Sequence, residues 1–139
     1  MVGYYWGLTS GQTETIGFLR SPGGAITAFN DPSAGISSPT GSCGSYPAGI
    51  DNEGNVAGYY IDQKCHAWFY RTQAGTFTNF DAPGASQVTG SGTYATALGP
   101  NGLIVGFFRI GTSPSTFVCH AFIRYSKWSY PYVRRTRSR

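Results

Sequence analysis

Cysteine and histidine stand side by side twice in this sequence, as Cys65-His66 and Cys119-His120. Both residue types are good ligands for zinc or copper, so the duplicated pair is the first candidate metal site. Neighbours on a strand point to opposite faces, however, and from regular β structure the two members of one pair cannot reach the same ion. The competing reading is structural, with each imidazole packing its ring and bonding a neighbouring backbone. Arginine recurs in step with these pairs, as Arg20, Arg71 and Arg124, and Asp31 and Asp81 follow the first two. An Arg–Asp contact across a hairpin is the plain expectation; an anion or sugar site at one end of the sheets is the sharper one. Adjacent aromatics, Tyr4-Tyr5, Tyr59-Tyr60 and Phe107-Phe108, place one ring on each face of a strand. Such rings pack between sheets or stack on a sugar. The candidate ligand-binding set is therefore Arg20, Arg71, Arg124, Tyr59, Tyr60 and Trp68.

Catalytic signatures are sparse. There is no Gly-x-Ser-x-Gly elbow. The acids Glu14, Asp31, Asp51, Glu53, Asp62 and Asp81 include no conspicuous pair, and folding would have to bring together Asp31, Asp62 or Asp81 for glycosidase chemistry. Asp51-x-Glu53-x-Asn55 has some likeness to a calcium loop but lacks the spacing and distal glutamate of an EF-hand, so it reads as a hairpin turn. No glycine-rich phosphate loop precedes a helix. No cofactor is expected.

Charge narrows the partners. The formal net charge is +4, yet six of the ten basic residues fall between Arg124 and Arg139. The first 123 residues carry Arg20, Lys64, Arg71 and Arg109 against six acids, a net of −2. A nucleic-acid partner would call for a basic surface on the folded body, so none is expected. Three cysteines, Cys43, Cys65 and Cys119, allow at most one internal disulfide. No apolar run approaches the ~18 residues of a membrane span, and the opening Met-Val-Gly-Tyr-Tyr-Trp-Gly lacks the basic and apolar regions of an export signal.

The elements that must position these residues recur in order. Val2-Gly3-Tyr4-Tyr5 returns as Ala57-Gly58-Tyr59-Tyr60 and as Val105-Gly106-Phe107-Phe108, at spacings of 55 and 48 residues. Ile16-Gly17-Phe18-Leu19-Arg20 is followed by His66-Ala67-Trp68-Phe69-Tyr70-Arg71 and by His120-Ala121-Phe122-Ile123-Arg124. A third element, ending Phe29-Asn30-Asp31-Pro32, is echoed by Phe80-Asp81-Ala82-Pro83, and a fourth, Tyr46–Ile50, by Tyr94–Leu98. Each is short, aromatic or β-branched and bounded by turn residues, so each reads as a strand. Asn52-Glu53-Gly54-Asn55 and Pro100-Asn101-Gly102 read as hairpin turns. With 20 glycines and no sustained 3.6-residue period, helix is not expected.

Four strands per unit of about 50 residues is the arithmetic of a propeller blade. The fold class expected is all-β, with tandem four-stranded antiparallel repeats over 1–125 (about 2–55, 56–103 and an incomplete 104–125) and a β-sandwich as the alternative. Residues 126–139 read as a basic, solvated tail. Two and a half units cannot close a ring, so self-association is expected; two or three chains would supply about five to seven blades.

His120-Ala121-Phe122, the near match His66-Ala67-Trp68 and the Gly-aromatic-aromatic strands together resemble the HAF family of extracellular repeats, across roughly residues 2–124. The first copy, with Thr15-Ile16-Gly17, lacks the histidine. The resemblance implies a secreted or cell-surface protein with a propeller-like fold and no established activity. The functional expectation is a non-catalytic binding or interaction module with carbohydrate as the first ligand class. A small hydrolase acting on a polysaccharide or ester is the alternative, and a fragment of a longer propeller a third.

Overall fold

The computed structural model describes residues 1–9, 11–35, 43–62 and 66–125. Turn chemistry decides where the chain folds back. The Leu103 amide donates to Pro100 O, with Asn101 at φ 60° and Gly102 at φ 73° between them. Two successive positive φ values match the twist of flanking strands in a two-residue hairpin, and Asn and Gly adopt them with least strain. The preceding hairpin is held by a side chain instead. Asp51 Oδ1 accepts from the Glu53 and Asn55 amides at 2.9 Å each, and Oδ2 accepts from Asn55 Nδ2 at 2.9 Å. The segment like a calcium loop thus uses its carboxylate on its own backbone, as a turn.

Among the described residues the strands are β1 (Val2–Thr9), β2 (Gln12–Arg20), β3 (Ile26–Phe29), β4 (Gly44–Ile50), β5 (Val56–Ile61), β6 (His66–Arg71), β7 (Phe77–Phe80), β8 (Thr93–Leu98), β9 (Leu103–Ile110) and β10 (Val118–Tyr125), with no α-helix. The all-β expectation holds. β2 pairs antiparallel with β1 and β3, and β4-β5-β6-β7 run antiparallel in that order. One parallel bridge, Thr15 to Gly44, joins these groups into a mixed seven-stranded sheet. β10-β9-β8 form a separate antiparallel sheet.

Strand alternation buries both faces of the middle group. On one face Val56 and Phe69 pack with Phe29, flanked by Val2, Leu19 and Tyr60. On the other, Ala57 and Trp68 pack with Ile104, Phe108 and Phe122. Three layers therefore enclose two cores. The glycine before each aromatic pair has a packing reason. Gly3, Gly58 and Gly106 lie directly opposite Phe18, Phe69 and Phe122. A Cβ at those glycines would come within 2.8, 2.9 and 2.8 Å of the phenylalanine rings, so each ring lies across the space a side chain would need.

Candidate functional site

The three recurrent arginines do not share one role. Arg71 Cζ lies 5.0 Å from the Phe29 ring centroid and 5.9 Å from that of Phe77, with Nη1 donating to Thr72 O. Arg124 lies 4.3 Å from Phe80 and 4.9 Å from Trp68, and its burial lowers its pKa from the ordinary arginine value. Phe29 and Phe80 each end the third strand of the preceding layer, so both arginines reach back one layer to a ring face. The expected Arg–Asp contacts are not made by Arg20 with Asp31 or by Arg71 with Asp81. Antiparallel pairing is the reason. Arg20 lies opposite Ile26 and Arg71 opposite Phe77, the starts of β3 and β7, whereas the aspartates follow the ends of those strands, roughly 16 Å along for Asp31 and roughly 13 Å for Asp81 at a strand's rise.

The aspartates belong to clasps between layers. Ser45 Oγ donates to Asn30 Oδ1 and accepts from the Asp31 amide at 2.8 Å. Thr93 Oγ1 donates to Asp81 Oδ1 and accepts from the Ala82 amide at 2.9 Å. Asn30, not Asp31, is therefore the structural counterpart of Asp81. Asp31 is buried, with Oδ1 accepting from the Ser33 amide and from Asn79 Nδ2, while Oδ2 has no hydrogen-bond partner. Asp62 is half-buried, and its backbone oxygen accepts from Cys43 Sγ. Asp31 and Asp81 thus sit at different layer boundaries rather than as a carboxylate pair.

The metal candidates divide in the same way. His120 stacks on Phe108 at 5.5 Å, and its Nδ1 is buried without a hydrogen-bond partner. Cys119, its neighbour on β10, is exposed. Cys65 and the side chain of His66 lie outside the described residues, as does the 126–139 tail. Among the described residues no three His, Cys, Asp or Glu side chains gather to hold a metal ion, and no helix is long and apolar enough to cross a membrane.

Trp68 is 1% exposed and belongs to the second core. Tyr60 flanks the first core. Tyr59 lies in a ladder of rings that crosses all three layers. Tyr4 meets Tyr46 edge-on at 5.0 Å, Tyr46 stacks on Tyr59 at 4.9 Å, Tyr59 meets Tyr94 edge-on at 5.2 Å, and Tyr94 stacks on Phe107 at 4.7 Å. Burial, with Tyr46, Tyr4 and Tyr94 alongside, pushes the Tyr59 hydroxyl up to about 12.

Arg20 stands apart. It is exposed and lines a groove of about 450 Å³ between the first and second layers. Leu19, Pro22 and Thr27 line it from the first layer, and Ile50, Asn52 and Gln73 from the second. The Gln73 amide donates to Asn55 Oδ1 at 3.1 Å, which ties the two turns of the second layer together. The groove combines a guanidinium fork, two side-chain amides that both donate and accept, and apolar surface from Leu19, Pro22 and Ile50. Of the six ligand-binding candidates, Trp68 and Arg124 are brought together in a core, and Arg20 lines the groove. The sequence marks Asn52 only as part of a hairpin turn and does not single out Gln73. The available signal was that two turns with polar tips fall at the same end of the strands as Arg20. No family model matches the chain, and no curated protein or solved structure shows significant similarity to it.

Proposed function

We propose that this chain is a non-catalytic extracellular binding module, built of propeller-like units, that holds a glycan in the groove beside Arg20. The observation that carries the reading is the Arg20 groove itself: its volume is about 450 Å³, within the range of small-molecule sites. A pyranose offers hydroxyls for Asn52, Gln73 and Arg20 and an apolar face for Leu19 and Ile50. Arg71 and Arg124 support the assignment by contrast, since both are held on aromatic rings. The extracellular location rests on the HAF resemblance, and the propeller-like arrangement on the matched strand order and clasps of successive layers. Self-association belongs to the same proposal: Tyr5 and Ile26 on the first layer and Ile123 and Tyr125 on the last remain exposed.

A glycan array run beside a panel of polysaccharide and ester substrates tests this reading. Retention of a glycan without turnover is the expected result. Hydrolysis that disappears on Asp31→Asn, Asp62→Asn or Asp81→Asn would establish the hydrolase instead.

A further inference from the structure

Among the described residues, the second and third strand groups carry a strand that the first does not. β4 runs along β5 with Ser45 opposite Tyr60, Tyr46 opposite Tyr59 and Pro47 opposite Gly58. β8 runs along β9 with Thr93 opposite Phe108, Tyr94 opposite Phe107 and Ala95 opposite Gly106. Both added strands shift register just afterwards, between Pro47 and Gly49 and between Ala95 and Ala97. The central rings stack in each case, at 4.9 and 4.7 Å. Glycine is what lets the added strand come close. A Cβ at Gly58 or Gly106 would run into the carbonyl oxygen of Tyr46 or Tyr94.

β1 offers the same run, Gly3-Tyr4-Tyr5, and pairs with β2 along one edge. Among the described residues its other edge carries no strand. Gly3 keeps the approach open, since the atoms nearest a Cβ there all belong to Phe18 on β2. Tyr4 is exposed and meets Tyr46 by its edge, with no stacked partner among the described residues. Farther along the same strand Trp6 and Leu8 are 77% and 76% exposed. A long apolar edge strand without proline or lysine is a template for strand addition.

We propose that the edge of β1 left unpaired among the described residues binds an extended segment of a partner protein, antiparallel, with the pattern Ser/Thr-Tyr-Pro/Ala. The partner's tyrosine lies opposite Tyr4 and stacks on it, and its proline or alanine lies opposite Gly3. Main-chain hydrogen bonds supply the affinity, and the tyrosine and the glycine gap set the register. This proposal is independent of the glycan reading, because no residue lining the groove belongs to β1.

The probe is a fluorescent peptide of residues 44–50, Gly-Ser-Tyr-Pro-Ala-Gly-Ile, added to the 139-residue chain. The expected result is saturable binding, weakened about tenfold when the peptide carries Tyr46→Ala, together with slower deuterium exchange at β1 amides. A scrambled peptide of the same composition is expected to bind at least tenfold more weakly. Equal binding of the scrambled peptide, or slowed exchange confined to other strands, would overturn the proposal. The titration is run below the protein concentration at which light scattering detects association, and β1 amides already protected there without peptide would assign the edge to the chain itself and overturn the proposal.

Discussion

A methyl group at Gly58 would press on the Tyr46 carbonyl from one side and the Phe69 ring from the other. Neither can give way easily, one being backbone and the other a fully buried ring. Gly58→Ala is therefore expected to destabilise the fold by about 1–3 kcal/mol, the usual cost of overpacking. Gly23→Ala is the control, because its Cβ would meet only Ser21 Oγ at 3.9 Å, and it should stay within about 0.5 kcal/mol. Urea unfolding followed by tryptophan fluorescence measures both. Tyr59 makes a second prediction. Its hydroxyl is held up at about 12 against an ordinary 10.0, mainly by burial. A raised pKa in the folded state means that the unfolded chain loses its proton first as pH rises. The stability from this group is thus whole below pH 10 and lost as pH climbs from 10 towards 12. Thermal melts across that window should fall, and Tyr59→Phe should flatten the fall. An unchanged slope in that variant would show that Tyr59 is not responsible.

Strand groups are tied to one another by hydroxyls as well as by rings. Thr93 Oγ1 satisfies the Ala82 amide and gives its proton to Asp81, so Thr93→Val keeps the shape of the side chain and removes both bonds. A buried amide left unpaired costs about 1–3 kcal/mol, and that is the expected loss in urea unfolding. Full retention of stability would mean the clasp contributes nothing. The elements were readable in advance because each rests on local chemistry. Asn101-Gly102 reads as a hairpin turn since few other pairs tolerate two positive φ values, and the Gly-aromatic-aromatic runs read as strands by composition and spacing. The long-range partners were not readable. Antiparallel pairing separates Arg71 from Asp81, and only the packing of layers turns Arg71 and Arg124 towards Phe29 and Phe80. The counterpart of Asp81 was hidden for a simpler reason: an amide oxygen, at Asn30, accepts the same hydrogen bond as a carboxylate. The groove depended on what lies beside Arg20 in space, and no spacing along the chain encodes that.

At the scale of the molecule, three layers bury two cores and leave apolar residues on both outer faces, Tyr5 and Ile26 at one side and Ile123 and Tyr125 at the other. Faces of this kind are expected to meet each other in solution. Light scattering on a size-exclusion column should give two or three chains per particle at micromolar concentration. A clean monomer near 14.9 kDa would contradict the ring of propeller-like units and favour the sandwich. The groove between the first two layers carries the functional claim, and its position makes that claim local enough to map. Heteronuclear NMR, with the oligosaccharide best retained on the array titrated into the labelled chain, is the most direct measurement. The predicted result is saturable shift changes gathered at Leu19, Arg20, Ile50, Asn52 and Gln73, abolished by Arg20→Ala while the remaining spectrum stays folded. Shift changes gathered on the Tyr46–Tyr59–Tyr94 ladder instead, or binding that survives Arg20→Ala undiminished, would contradict it.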